Sequence, residues 1–211
     1  MYKIITIDGP ASVGKSTLAK KLAKKYNSPI LFSGKLYRAV ALELIKRKLD
    51  PNNIQNILSC VDCIDFNKLN SKELYSSKVD QLSSIISSET KLRNKLITIQ
   101  RNFPKEYGKN SKFTIIEGRD IGTVIFPDAD YKIFLWADAK IRAKRRYKQV
   151  LKNRKKASFR RILNEINTRD RKDLTRKIAP LMPAANSVLL DTSYIDIEQA
   201  FNALKKVILK N

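Results

Sequence analysis

Nine consecutive residues near the start of the chain, Gly9-Pro10-Ala11-Ser12-Val13-Gly14-Lys15-Ser16-Thr17, have the types and spacing needed to grip a phosphate. They read G-x-x-x-x-G-K-S, the pattern of a phosphate-cradling loop, or P-loop. Gly9 and Gly14 permit backbone angles that a side chain would resist. The loop can then wrap its N–H groups around an anion, and the N-terminus of the next helix adds positive potential. Lys15 would reach the β- and γ-phosphates of a nucleoside triphosphate, and Ser16 would hold Mg²⁺. ATP and Mg²⁺ are therefore the expected cofactors. The flanks suit the motif: Lys3-Ile4-Ile5-Thr6-Ile7-Asp8 is an apolar, β-branched run of strand length, and Leu18, Leu22 and Ala23 repeat at helical spacing up to Tyr26.

Three further groups could do chemistry. Gly118-Arg119-Asp120 follows the buried run Phe113–Glu117, at the strand end where open α/β sheets bind ligands. The competing reading is a turn capped by Asp120. Arg169, Asp173 and Arg176 lie at i, i+4 and i+7, so one helix face can present all three. Taken alone, such a row is more often a solvated salt-bridge ladder. The stretch Ala139–Asn153 is crowded with cations, among them Arg142, Lys144, Arg145, Arg146 and Lys148. Gln149 stands beside them. These are either plain surface or a place for at least one arginine to meet ATP.

Some chemistry is excluded. The chain has no histidine, which removes serine–histidine and cysteine–histidine catalysis. Cys60 and Cys63 form a lone C-x-x-C that cannot complete a tetrahedral zinc site from usual ligands. Two reduced, partly buried thiols are expected. The net charge of +23 points toward anionic partners. No RNA-binding signature or aromatic-interleaved basic stretch accompanies it. Nucleotide handling with a solvated basic surface is the favoured account, and no specific nucleic-acid partner is expected.

The elements that must position these residues follow from periodicity. At 211 residues, 43% of them hydrophobic, one α/β domain spanning 1–211 is expected. Apolar runs are far short of a membrane span and the chain passes straight into its first strand, so no leader, no membrane partner and a cytoplasmic location are expected. A short strand is read over Ser28–Gly34, then a helix to about Lys48 and another from Ile54 to Val61. Residues 62–78 read as a small insertion with two short strands, Ile64–Asn67 and Glu73–Ser76. Helical spacing resumes at Leu82 and runs to Phe103, with a polar loop over Pro104–Ser111. Strands are read over Phe113–Glu117, Tyr131–Trp136 and Val188–Asp191. Helices are read over Ala139–Asn153, Ser158–Asp173 and from Ile195 to the end. Alternating strands and helices predict a parallel sheet with helices on both faces.

Several stretches together resemble the bacterial cytidylate kinases. They are Ile7 to Thr17, Ser33-Gly34-Lys35-Leu36-Tyr37-Arg38-Ala39-Val40-Ala41-Leu42, Gly118 to Ala129, Arg169-Asp170-Arg171-Lys172-Asp173, and Ala179 to Ala185. The resemblance covers nearly the whole chain. It implies a P-loop core, a small monophosphate-binding insertion and a helical lid over 146–161. The implied reaction is phosphoryl transfer from ATP to CMP or dCMP by a monomeric enzyme. By the same resemblance, Arg38 and Arg119 hold the acceptor phosphate. Ser84, Arg93 and Asp120 read the cytosine, and Arg169 and Asp173 hold the ribose. Ser33 and Tyr37 lie in the acceptor-binding stretch, Arg176 lies near the phosphates, and Arg145 and Arg146 form the cationic base of the lid. Three departures from the family's pattern stand out. Phe32 replaces an acidic residue, Glu117 replaces an aspartate, and the insertion is shorter.

Overall fold

The computed structural model describes residues 2–152 and 156–209. Its five strands are β1 (Lys3–Asp8), β2 (Ile30–Phe32), β3 (Phe113–Glu117), β4 (Tyr131–Trp136) and β5 (Val188–Asp191), in the sheet order β2-β3-β1-β4-β5. The pairs β1–β3, β1–β4 and β4–β5 are parallel. The α/β class and the parallel sheet expected from the sequence are both present. Two compact units can be separated, residues 1–30 with 107–211, and residues 31–106.

In the first unit β1 is central, with Ile5 opposite Ile115 on one side and Tyr131 on the other. Ile5, Thr6, Ile7 and Asp8 are all buried, so both faces of this strand are covered. That is why isoleucines point to both of its faces rather than alternating with exposed polar residues. Helix α1 (Lys15–Tyr26) follows the loop, burying Leu18, Ala19 and Leu22, and ends at Asn27 in the left-handed region. Helices α6 (Ala139–Lys152) and α7 (Phe159–Thr175) pack through Ala143, Ile162 and Ile166, with Tyr147 edge-on to Phe159 at 6.3 Å. Helix α8 (Ile197–Leu209) buries Ala200, Leu204 and Ile208. The edge strand β5 is the exception to burial, with Leu189 63% exposed.

The second unit is helical: α2 (Ser33–Lys46), α3 (Ile54–Val61), α4 (Ser77–Ile86) and α5 (Thr90–Tyr107). Its core includes Leu36, Val40, Leu44, Ile57, Cys60, Leu92 and Leu96. Three expectations fail here. The strand before α2 stops at Phe32, and Ser33 and Gly34 already belong to the helix. The two strands expected in 62–78 are 3₁₀ turns, Phe66–Asn70 and Lys72–Tyr75. Asp65 accepts from the Asn67 N–H and Ser71 from the Glu73 N–H, so local caps outcompete extended pairing. The loop expected from Pro104 is helix as far as Tyr107. Phe103 and Pro104 are buried, and Phe103 stacks on Phe66 at 6.3 Å, so packing outweighs the missing proline N–H. Among the described residues no helix is long and apolar enough to cross a membrane.

Candidate active site

The loop Gly9–Thr17 is held in shape from three sides. Lys15 Nζ donates to the Pro10 carbonyl at 2.8 Å, and Arg142 Nη1 donates to the Ala11 carbonyl at 3.1 Å. The Thr192 hydroxyl lies 3.3 Å from the Val13 carbonyl. A trans peptide sets its N–H opposite its C=O. With these three carbonyls engaged, the N–H groups of Ala11, Ser12 and Gly14 face the other way, as an anion cradle requires. The glycines are needed where they stand. Gly14 has φ +106, and Gly9 has φ +142 with a would-be Cβ 2.2 Å from the Leu135 carbonyl oxygen. Ser12 is also in the left-handed region, at φ 59.

Beneath the loop lies a small charged group. Ser16 Oγ donates to Glu117 at 3.1 Å, and Lys15 Nζ is 3.7 Å from the other Glu117 oxygen. Lys15 is only 5% exposed. Burial, and then the positive charge of Arg119, pull its pKa from 10.5 to about 7; Glu117 opposes them and Arg169 adds to them. Asp8, at the end of β1, is pushed the other way. Burial raises its carboxyl from 3.8 to about 7, against two backbone hydrogen bonds that favour the ionised form.

A second cluster joins the end of β3 to α7. Arg119 Nε donates to Asp173 at 3.0 Å, and Arg176 sits 3.4 Å from Asp120 and 4.0 Å from Asp173. The expected set Arg119, Asp120, Asp173 and Arg176 is therefore brought together, with Arg169 close enough for its charge to act on Lys15. Its construction differs from the expected helix face. Arg176 lies past the end of α7 with ψ 138, and its Nε donates to the Ala179 carbonyl at 2.5 Å. Asp120 does not cap the π-helical turn Ile121–Ile125 that it precedes.

Arg142, read from the sequence as either plain surface or one of the arginines that could meet ATP, is 2% exposed. It pairs with Asp170 at 2.6 Å and also donates to the Ala137 carbonyl. It is a tie between the loop and α7. Arg145 donates to the Thr192 hydroxyl and carbonyl, and Arg146 donates to Gln149 on the helix surface. Neither of these two expected lid arginines joins the Lys15 group. Of the lid stretch 146–161, residues 153–155 lie outside the described residues.

The helical unit holds the remaining candidates. Ser33 is buried and donates to Gln100 at 2.6 Å. Arg38 donates to the Leu74 carbonyl, pairs with Asp80 and lies 5.5 Å from the Tyr75 ring. Arg93 is buried, donates to the Ser87 carbonyl at 2.9 Å and lies 5.9 Å from the Tyr37 ring. Ser84 is half-buried on α4, and its backbone carbonyl accepts from Ser87. Sequence reasoning missed the roles of Asp8, Asp80, Gln100 and Asp170, and named Arg142 without foreseeing that it is a buried tie. The available signals were weak: Asp8 ends a strand rich in isoleucine, and Arg142 falls beside Ala139 and Ala143 on one face of α6. The two thiols are free as expected, with Cys60 buried and Cys63 exposed, both within 3.9 Å of Arg47.

A family model described as cytidylate kinase matches residues 5–210. The chain belongs to the cytidylate kinase family. Among curated relatives, the cytidylate kinase of Bartonella tribocorum is 41% identical over 198 residues, covering 94% of this chain and 90% of the relative. That of Acidiphilium cryptum is 38% identical over 207 residues, covering 98% and 95%. That of Clostridium botulinum is 34% identical over 217 residues, covering 98% of each. Among solved structures, an uncharacterized protein from Eubacterium ventriosum superposes with TM-score 0.59 at 15% identity over the whole of both chains. A Thermus thermophilus protein gives 0.54 at 16% identity over 99% of this chain and 97% of its own. At these identities the structural likeness speaks for the fold of this cytidylate kinase relative, and the sequence likeness for its family.

Proposed function

We propose that the chain catalyses transfer of the γ-phosphoryl group of ATP to CMP or dCMP, giving ADP and CDP or dCDP. The observation that carries this reading is the Lys15–Ser16–Glu117 group under a braced Gly9–Thr17 loop, in a chain of the cytidylate kinase family. Phosphoryl transfer asks mainly for positioning and for neutralisation of charge. The acceptor is itself an ionised phosphate, so no strong base is required and repulsion between two anions is the main obstacle. Lys15 would exchange the Pro10 carbonyl for phosphate oxygens, and that anionic neighbour would draw its pKa back up. Arg119 and Arg176 offer planar forks to an acceptor phosphate in place of carboxylates. Arg169 and Asp173 are assigned to the ribose. In the helical unit, Arg38 is assigned to the acceptor phosphate, Ser33 and Tyr37 to the bound monophosphate, and Ser84 and Arg93 to the base. Arg145 and Arg146 would reach ATP by exchanging Thr192 and Gln149 for phosphate. A monomeric, cytoplasmic enzyme is proposed on the family resemblance alone.

Mg²⁺ fits the donor set. No group of three or more Asp, Glu, Cys or His residues capable of holding a metal occurs among the described residues. A hydroxyl with one nearby carboxylate, Ser16 and Glu117, suits an ion that keeps its waters and binds mainly to phosphate oxygens. When bound, it would neutralise charge on the phosphates.

Base choice follows from donors and acceptors. An ionised Asp120 only accepts, which suits the cytosine amino group and repels the uracil oxygen in the same place. Arg93 only donates, which suits the N3 edge of cytosine. The test is a coupled ADP assay with CMP, dCMP, UMP, AMP and shikimate as acceptors. Turnover that favours CMP and dCMP supports the reading. Equal turnover of UMP, or turnover of AMP or shikimate alone, refutes it.

A further inference from the structure

The π-helical turn Ile121–Ile125 begins with amide groups that need acceptors, as any helical start does. A short acidic residue in the position of Asp120 ordinarily supplies one. Here it does not, and its carboxylate lies 3.4 Å from Arg176 instead. The acceptors come from Asp8, 113 positions earlier. Its Oδ1 accepts from the Ile121 N–H at 2.9 Å and its Oδ2 from the Gly122 N–H at 2.7 Å. Both carboxylate oxygens are thus used on two successive amides, in a group 4% exposed. Asp120 itself is set at φ −140, ψ 24, and its carbonyl accepts from the Val124 N–H at 2.9 Å. The turn lies against β1: a Cβ on Gly122 would stand 2.9 Å from Thr6 Oγ1 and 3.4 Å from Asp8 Oδ2.

We propose that Asp8 is a positioning residue for base selection: it caps the 121–125 turn from β1, which fixes the backbone of Asp120 and turns the Asp120 carboxylate from local capping to the substrate. This rests on the reading of Asp120 as the group that accepts from the cytosine amino group. An asparagine at position 8 keeps the size but has one acceptor oxygen, so one of the two amides loses its partner. The side-chain hydrogen bonds of Asp8 run to this turn and not to the loop Gly9–Thr17, but its charge is felt at Lys15, so the test of base selection must compare two acceptors against the same ATP. The chain keeps an acid here although burial works against its charge, as its raised pKa of about 7 records.

The experiment measures kcat/KM for CMP and for UMP in the wild type, Asp8→Asn, Asp120→Asn and the double variant, with ATP affinity and thermal midpoint for each. Small misplacements of a binding group cost up to about a hundred-fold. Asp8→Asn should lower the CMP-to-UMP ratio on the order of tenfold at saturating ATP, where any change at Lys15 falls on both acceptors alike. In the Asp120→Asn background it should change that ratio no further, an outcome a merely structural role would not produce. A folded Asp8→Asn with the wild-type ratio overturns the proposal, as does an equal drop in both backgrounds. If Asp8→Asn does not fold, Gly122→Ala displaces the same turn while keeping Asp8 as an acid, since its methyl would press on Thr6 Oγ1 at 2.9 Å and meet Asp8 Oδ2 only at 3.4 Å. A reduced ratio in that variant supports the proposal, and an unchanged one overturns it. A wild-type ratio near one, or a large ratio that Asp120→Asn leaves intact, removes the underlying reading of the base site and this inference with it. A large ratio lowered by Asp120→Asn but not by Asp8→Asn removes this inference alone.

Discussion

Replacing Lys15 by methionine should make the nucleotide-free protein more stable at pH 7 while nearly abolishing turnover. In the folded chain Lys15 titrates at about 7, against 10.5 when exposed, because burial and Arg119 oppose its charge. Between those two values the unfolded chain holds a proton that the folded chain has given up. Stability of the wild type therefore rises with pH across this window, and the full penalty is present at its lower end. At about 1.4 kcal/mol per pH unit, the window bounds the penalty at roughly 5 kcal/mol. Methionine removes it but leaves the Pro10 carbonyl and one Glu117 oxygen without their donor, which costs about 1–3 kcal/mol. A net gain of roughly 2 kcal/mol at pH 7 is the result, reversing to a small loss near pH 10. The assay is urea unfolding of both proteins at pH 7, 8.5 and 10 without nucleotide. A difference between them that does not change with pH refutes the argument that Lys15 is held against its charge. Turnover should fall by about a hundred-fold or more, since the lost charge acts on the transferring group. A folded variant with wild-type turnover would remove Lys15 from the chemistry.

Arg119→Ala should lower kcat/KM for CMP by about a hundred-fold and weaken ATP binding far less, because its hydrogen bond runs to Asp173 and only its charge acts on Lys15; equal losses would move it to the donor side. Arg142→Leu should cost about 3–5 kcal/mol in urea unfolding, since it strands Asp170 in the interior and releases the Ala11 and Ala137 carbonyls; a cost under about 1 kcal/mol would show the tie to be unimportant. Iodoacetamide should label exposed Cys63 well before buried Cys60 in the native protein, as read by peptide mass spectrometry; equal rates would contradict the packing of α3.

Much of the site is legible because its residues obey local rules. The Gly9–Thr17 pattern, the apolar strand before it and the periodic helix after it are each short-range signals, and β1, α1 and the loop stand where those signals place them. Arg119 and Asp120 are found by their position at the end of a buried strand. What escapes the sequence is decided by contacts between distant segments. Arg142 has the composition of a surface cation, and only the approach of Ala11 and Asp170 buries it. Asp120 has the type and place of a cap, but Asp8 already fills that role from across the sheet. Arg176 fits the i, i+7 row only if α7 continues through it, and the helix ends one residue before. The turns at 66–75 fail for the opposite reason. Aspartate and serine side chains impose 3₁₀ geometry within two residues, below the length at which strand alternation can be recognised.

The Thr192 hydroxyl, shared between the Val13 and Trp136 carbonyls, has a consequence for the order in which the molecule is assembled. The phosphate loop is synthesised well before one of its braces, which arrives 179 positions later. Its central strand β1 likewise waits for β3 and β4 before it has a neighbour on either side. A growing chain thus carries its central strand and its nucleotide motif unpaired while roughly a hundred further residues are added. Pairings this distant in sequence form late and slowly. Until the end of β5 has left the ribosome, the loop lacks the Thr192 brace, so ATP cannot lend its binding energy to the full cradle of the nascent chain. The helical unit, closed within residues 31–106, has no such wait.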